Sequence, residues 1–129
     1  MTSNASLVAF AVQVTQNCYA PYSSFRVGAA LLGASGKVYL GVNIENAAYS
    51  PTICAERSAI ARAVSDGERE FTRIAIVTKG AVTPCGVCRQ TLREFAPDLE
   101  IVLADLQGNI RVVTTLKELL PDSFGPEHL

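Results

Sequence analysis

A chain of 129 residues, 49% of them apolar and 18% charged, is long enough to fold as one globular domain with its own core. The formal net charge is −1 and the basic residues are scattered singly, which disfavours a nucleic-acid partner because such binding needs a basic patch. Residues 7–12 are apolar, but no Lys or Arg precedes them, so the sequence predicts neither a signal peptide nor a membrane span. We therefore expect a reducing, cytoplasmic location, where cysteines more often bind metal or act in catalysis than form disulfides.

The spacing of apolar residues predicts helices that alternate with strands along the chain. In order, we predict a helix at 3–19, a hairpin of strands at 25–32 and 37–44, a helix at 54–65, a strand at 73–78, a helix at 85–96, strands at 100–104 and 109–113, and a short helix at 115–120. This alternation is typical of an α/β domain with helices on both faces of a sheet. Because the first two strands form a hairpin, the sheet of about five strands is predicted to be mixed. We expect a single domain over residues 1–129.

Three of the four cysteines stand in two short motifs, Thr-Ile-Cys-Ala-Glu-Arg and Pro-Cys-Gly-Val-Cys-Arg. Cys85 and Cys88 are three apart, so in the first turn of a helix both thiols can reach one ion. Cys54 and Glu56 are two apart, and both can border the same ion only if Cys54 stands at or just before a helix start. Three thiolates without a fourth protein ligand are typical of catalytic zinc, which keeps one position open for water. Cys18 is far upstream, so a fourth ligand is hard to supply.

The charge of such a site needs compensation, because three thiolates on a dication leave a net charge of −1. Two helix N-termini, each with roughly half a positive charge, can supply part of it. Arg57, three residues after Cys54, can add positive charge and donate hydrogen bonds to the thiolates. Glu56 can then act as general acid and base on the water that zinc activates. A Cys-x-x-Cys motif alone also occurs in redox sites and structural zinc sites, so these readings stay open on the cysteines alone.

Further motifs surround the cysteines in a fixed order. With them, the chain resembles the small homotetrameric cytidine deaminases from about residue 16 to its end. The stretches that carry the resemblance are Tyr19–Ser23 (YAPYS), Phe25–Leu31 (FRVGAAL), Asn43–Ser50 (NIENAAYS), Cys54–Arg57 (CAER), Pro84–Gln90 (PCGVCRQ) and Glu118–Pro121 (ELLP) followed by Phe124. The resemblance implies a five-stranded mixed sheet between two helical layers, the three-layer α/β/α cytidine deaminase-like fold. It also implies one zinc ion per chain and deamination of cytidine and 2′-deoxycytidine.

The resemblance also implies a role for each matching residue. Cys54, Cys85 and Cys88 would hold the zinc and Glu56 would shuttle protons. Asn43 and Glu45 would bind the ribose 3′-hydroxyl, Phe25 would pack on the nucleoside, and backbone groups of Ala55 and Pro84 would meet the base. Ala47, Tyr49 and Phe124 would reach the site of a neighbouring subunit in the homotetramer.

Considered one at a time, several of these residues have simpler interpretations. Asn43 and Glu45 alternate along a strand end and suit a sugar, but they also suit an ordinary strand edge. Phe25 alone would be assigned to the core, and Arg57 alone to a helix surface.

Three rival functions also remain. They are a related cytosine-nucleoside deaminase such as a blasticidin S deaminase, a polynucleotide deaminase, and a structural or redox Cys-x-x-Cys module. A blasticidin-type deaminase would share the zinc motifs. A polynucleotide deaminase would need a basic groove, which the scattered basic residues of this sequence do not predict. A structural or redox module would leave Glu56 without a role.

Overall fold

A computed structural model describes residues 2–129. Its elements confirm the predicted order and add short 3₁₀ turns at Thr15–Asn17 and Pro126–His128. They are α1 (Asn4–Val14), β1 (Gly28–Gly33), β2 (Val38–Val42), α2 (Ala55–Ser65), β3 (Phe71–Val77), α3 (Gly86–Phe95), β4 (Glu100–Ala104), β5 (Ile110–Thr115) and α4 (Leu116–Leu119). Within residues 2–129, no helix is both long and apolar enough to cross a membrane.

The first helix is shorter than the sequence predicts. It starts as a capped helix, since the Ser3 hydroxyl accepts a hydrogen bond from the Ser6 N–H. It ends at Val14 rather than near Tyr19, and a 3₁₀ turn follows. The Thr15 hydroxyl donates to the carbonyl of Val12, a local hydrogen bond of the kind that competes with the regular helix.

The five strands form one mixed sheet in the order β2-β1-β3-β4-β5. Strand β1 is antiparallel to both β2 and β3, β3 is parallel to β4, and β4 is antiparallel to β5. The start of β1 therefore lies beside the ends of β2 and β3 at one edge of the sheet. Ligands of α/β sheets often bind at such an edge, outside the carboxyl ends of the strands.

Helices cover both faces of this sheet, so the predicted three layers are present. On one face, α1 buries an apolar stripe that includes Leu7, Val8 and Ala11 against β1, β3 and β4. On the other face, α2 and α3 pack with Ala59, Ile60 and Leu92 on the same sheet.

Helix α2 approaches the sheet unusually closely at Gly41 of β2. A Cβ atom at this position would lie 2.3 Å from the carbonyl oxygen of Ala55 and 2.4 Å from the backbone nitrogen of Ala59. Only glycine permits this contact without displacing the helix. The first turn of α2, which carries Glu56, is held against the edge where β2 ends.

Candidate active site

Two helix N-termini meet at this edge of the sheet. Cys54 is the N-cap residue of α2, which confirms the prediction that it stands at the start of a helix. Cys85 is the N-cap residue of α3, and both residues have an extended backbone. Neither side chain caps its own helix, so the sulfur atoms can serve another partner. Cys88 lies in the first turn of α3 and is fully buried. The partial positive charge of both helix ends favours negative charge at this place in the fold.

The three thiols form a compact cluster. The Sγ atoms of Cys54, Cys85 and Cys88 all lie within 4.8 Å of one another. Those of Cys54 and Cys85 are 3.9 Å apart. Zinc–sulfur bonds of about 2.3 Å in a tetrahedron place two sulfurs about 3.8 Å apart. The cluster therefore fits a zinc ion bound by three thiolates.

Arg57 is placed to stabilise negative charge on the cluster. Its guanidinium donates a hydrogen bond to the Cys54 Sγ over 3.5 Å. The pKa of the Cys54 thiol lies well below its ordinary value, because the Cys88 thiol and the Arg57 guanidinium both donate to its sulfur. The hydrogen bond between Arg57 and Cys54 was predicted from their spacing in the sequence, and the structure brings the two side chains together.

Glu56 lies beside the thiols and is almost fully enclosed, with 4% of its surface exposed. Burial raises the pKa of its carboxyl to about 7, and the nearby charge of Cys54 acts in the same direction. A carboxyl group with a pKa near neutrality can both accept and donate a proton at physiological pH.

A pocket of about 230 Å³ opens in front of Cys54, Glu56 and Cys85. Its walls are largely apolar, and Phe25 and Asn43 stand among them. Ligand pockets usually enclose about 300 Å³ or more, so this one is small for a complete site.

Part of the pocket wall was not singled out from the sequence. The loop between β3 and α3 contributes Thr78, Val82 and Thr83. The Thr78 hydroxyl accepts a hydrogen bond from the Val82 N–H over 2.9 Å and so shapes this loop. Chemically plain residues of this kind give no sequence signal, and only their position after β3 could have suggested them.

Asn43 and Glu45 converge on the segment that carries Phe25. The Asn43 side chain donates to the Phe25 carbonyl over 2.6 Å and accepts from the Val27 N–H over 3.0 Å. The Glu45 carboxylate accepts from the Tyr22 N–H over 2.9 Å. Asn43 lines the pocket, whereas Glu45 does not.

The remaining predicted residues divide into two groups. Pro84 lies in the pocket wall, whereas Ala55, the first residue of α2, is fully buried between the lining residues Cys54 and Glu56 and does not line the pocket itself. Ala47, Tyr49 and Phe124 do not line the pocket of their own chain. Tyr49 is 73% exposed and Phe124 57% exposed, which is unusual for aromatic side chains.

Comparison with known proteins identifies the family. Residues 1–104 match the family described as the "Cytidine and deoxycytidylate deaminase zinc-binding region". The chain belongs to this family. A cytidine deaminase of Sporosarcina psychrophila is 48% identical over 126 residues, which cover 95% of this chain and 92% of that protein. One from Halalkalibacterium halodurans is also 48% identical over 126 residues, with 95% of each protein covered.

Solved structures agree with the deaminase assignment. The crystal structure of cytidine deaminase from Burkholderia pseudomallei superposes with a TM-score of 0.88 at 46% identity, covering 96% of this chain and all of that one. The cytidine deaminase of Mycobacterium tuberculosis gives a TM-score of 0.82 at 37% identity, covering 97% of this chain and 99% of that one. The cytidine deaminase-like fold is therefore established, and its zinc-binding region contains the three-thiol cluster.

Proposed function

We propose that this protein catalyses the hydrolytic deamination of cytidine and 2′-deoxycytidine, giving uridine or 2′-deoxyuridine and ammonia. The observation that carries the proposal is a cluster of three thiols beside the buried Glu56, with Cys54, Cys85 and Glu56 lining one pocket. The zinc deaminases use this combination, with zinc ligands from cysteines and a glutamate that is not a ligand.

Cys54, Cys85 and Cys88 are the proposed ligands of one zinc ion per chain. When bound, zinc lowers the pKa of a coordinated water toward neutrality and so makes it a nucleophile. Arg57 and the N-termini of α2 and α3 offset the negative charge of the thiolates. Without that compensation, three electron-rich sulfurs would oppose deprotonation of the water.

Glu56 is the proposed proton carrier. Its carboxylate accepts the proton of the attacking water and delivers it to N3 of the base as oxygen adds to C4. Glu56 then takes the remaining proton from the hydroxyl formed on C4 and delivers it to the exocyclic amino group, which leaves as ammonia while the C4 hydroxyl becomes the carbonyl of uridine. Burial suits Glu56 to this work, because it raises the pKa of the carboxyl to about 7.

Asn43 and Glu45 are the proposed receptors of the ribose 3′-hydroxyl. Each side chain can form a further hydrogen bond to a ligand in addition to its bonds within the chain. An amide nitrogen has two hydrogens to donate, and a carboxylate has about four acceptor positions. A sugar hydroxyl can then donate to Glu45 and accept from Asn43.

Phe25 and two backbone groups are proposed to hold the rest of the nucleoside. Phe25 packs on its apolar surface from the pocket wall. The N–H of Ala55 belongs to the first turn of α2, where no helical acceptor exists, so it is available to the base edge. Pro84 supplies a further backbone contact to the base.

We propose a homotetramer in which Ala47, Tyr49 and Phe124 complete neighbouring sites. The exposure of Tyr49 and Phe124 and the small size of the pocket in one chain support this assembly. We further propose that residues 1–129 act as a single deaminase domain in the cytoplasm, since a site built from thiolates needs reducing conditions.

The direct test is ultraviolet absorbance of cytidine mixed with zinc-loaded protein. We expect conversion to uridine, and a Glu56→Gln variant that binds zinc but turns over at least about 10²-fold more slowly. Near-normal turnover in the zinc-loaded variant would contradict the proposed role of Glu56. Conversion of blasticidin S but not of cytidine would favour the rival nucleoside deaminase.

A further inference from the structure

One serine hydroxyl links two of the residues proposed to bind the nucleoside. The Ser23 hydroxyl donates a hydrogen bond to Oε2 of Glu45. The same hydroxyl accepts a hydrogen bond from the backbone N–H of Phe25 over 3.0 Å. Ser23 does not line the pocket, so its influence on a ligand would pass through these two partners.

Ser23 determines how the Glu45 carboxylate is presented. Oε1 of Glu45 accepts from the N–H groups of Tyr22 over 2.9 Å and Ser23 over 3.2 Å. With the Ser23 hydroxyl on Oε2, three of the roughly four acceptor positions of the carboxylate are used. The Ser23 hydroxyl is also the main reason that the pKa of Glu45 lies below its ordinary value. A ligand hydroxyl therefore meets an ionised Glu45 with one defined position left on Oε2.

The backbone of Phe25 is held from both sides. Ser23 binds its N–H, and Asn43 binds its carbonyl over 2.6 Å. Between Ser23 and Phe25, Ser24 adopts a left-handed backbone with a φ of 59°. A non-glycine residue in this region carries strain, which persists only where surrounding contacts hold it. The Ser23 hydroxyl supplies one of those contacts.

We propose that Ser23 is a positioning residue that sets Glu45 and Phe25 together for the sugar-bearing part of the substrate. The proposal rests on the nucleoside-binding roles of Glu45 and Phe25 given above. Ser23 touches neither the reacting atoms nor the thiol cluster. Its loss is therefore expected to weaken substrate binding and leave the chemical step unchanged.

The chain contains a matched control in the hairpin between β1 and β2. The Ser35 hydroxyl donates to the Glu68 carboxylate and accepts from the Lys37 N–H two residues ahead, the same arrangement as at Ser23. Ser35 does not line the pocket. Ser35→Ala thus removes an equivalent serine–glutamate contact where no effect on the substrate is expected.

The experiment compares steady-state kinetics of the zinc-loaded wild type, Ser23→Ala, Ser23→Thr and Ser35→Ala on cytidine and 3′-deoxycytidine. For Ser23→Ala we expect KM for cytidine to rise about 5- to 10-fold, with kcat within about twofold of the wild type. Ser23→Thr keeps the hydroxyl and should hold KM within about threefold of the wild-type value. On 3′-deoxycytidine, which lacks the hydroxyl assigned to Glu45, the KM increase of Ser23→Ala should be at least about twofold smaller.

Each contrary result has a distinct meaning. A wild type that deaminates neither substrate would overturn the proposed function itself. An active wild type whose KM is as little changed by Ser23→Ala as by Ser35→Ala would overturn the positioning role alone. Equal KM increases of Ser23→Ala on both substrates would refute the link through Glu45. A loss of zinc or of thermal stability in Ser23→Ala that Ser23→Thr does not restore would assign Ser23 to folding instead.

Discussion

Charge at the thiol cluster depends on a few individual side chains. The Arg57 guanidinium lies 3.5 Å from the Cys54 sulfur, and its hydrogen bond favours the thiolate that a metal requires. The pKa of the Glu56 carboxyl is shifted in the opposite direction, because burial raises it to about 7. Cys54 at the N-cap of α2 and Glu56 two positions later thus place a thiol with a lowered pKa and a carboxyl with a raised pKa at the same helix start.

Removing single cysteines should show which thiols bind the metal and which do not. We expect Cys85→Ala to reduce bound zinc from one per chain to a small fraction, because two thiolates bind far more weakly than three. Deaminase activity should fall with the metal. Cys18→Ala is the matched control, since Cys18 is a free cysteine outside the cluster. Metal analysis after gel filtration decides the matter, and one zinc per chain in Cys85→Ala would contradict its assignment as a ligand.

Sequence reasoning identified the residues whose chemistry is distinctive and missed those whose role is geometric. The cysteines and Glu56 could be grouped because three thiols and a carboxylate at helix-start spacing can border one metal ion, and Glu56 has no role in a redox or structural zinc site. The contacts of Ser23 could not be inferred, since they depend on a loop that folds back to Glu45 across more than twenty positions. Thr78 was missed for a similar reason, because its hydroxyl shapes a loop rather than carrying chemistry.

At the scale of secondary-structure elements, the turn between β4 and β5 depends on one carboxylate. Asp105 is largely buried and accepts hydrogen bonds from the N–H of Asn109 over 2.9 Å and from that of Gln107 over 3.0 Å. Arg111 adds an ion pair over 3.0 Å. These contacts, led by the backbone N–H of Asn109, lower the pKa of Asp105 from 3.8 to about 2.

The lowered pKa predicts how acid acts on this turn. Because the unfolded chain takes up a proton on Asp105 before the folded protein does, the stabilisation is complete above about pH 4 and is lost as the pH falls toward 2. We expect Asp105→Asn to lower the free energy of unfolding at pH 7 and to reduce its further decline between pH 5 and pH 3. Urea unfolding at pH 7, pH 5 and pH 3 measures this. Asp98→Asn, which removes an exposed carboxylate, is the control, and parallel declines for the two variants would refute the prediction.

The boundaries of the elements show what the sequence could predict at this scale. Helix α2 was predicted to within one residue, because Cys54 precedes it and Asp66 and Gly67 end it. The first helix was predicted too long, since Pro21 was taken as its stop signal, whereas the helix ends at Val14 and the Thr15 hydroxyl donates to the carbonyl of Val12. Beyond the hairpin of β1 and β2, the strand order could not be predicted, because periodicity gives no information on which distant strands pair.

For the whole molecule, the exposed aromatic side chains indicate surfaces that a single chain leaves uncovered. Tyr22 and Tyr49 pack edge to face with ring centroids 6.3 Å apart, and both are more than half exposed. Phe124 stacks on His128 with centroids 5.4 Å apart, on a segment whose backbone accepts a hydrogen bond from Gln90 of α3. These rings are held in place without being buried, which is expected of residues that meet another subunit.

Assembly gives a sharp test, because two inactive variants should restore each other only if sites are shared between subunits. A Phe124→Ala chain keeps its own Glu56, and a Glu56→Gln chain can lend its Phe124 to a neighbour. Each homo-oligomer should be at least about 10-fold less active than the wild type, whereas co-expressed mixed oligomers should regain activity at the sites that combine Glu56 with a neighbour's Phe124. Phe124→Ala co-expressed with the double variant Glu56→Gln/Phe124→Ala should show no recovery, which controls for nonspecific rescue because Glu56 is present but no chain supplies Phe124. The purified mixture should have four times the 13.7-kDa mass of the chain. Recovery no greater than the sum of the separate variants, in oligomers shown to be mixed, would place Phe124 outside the neighbouring site.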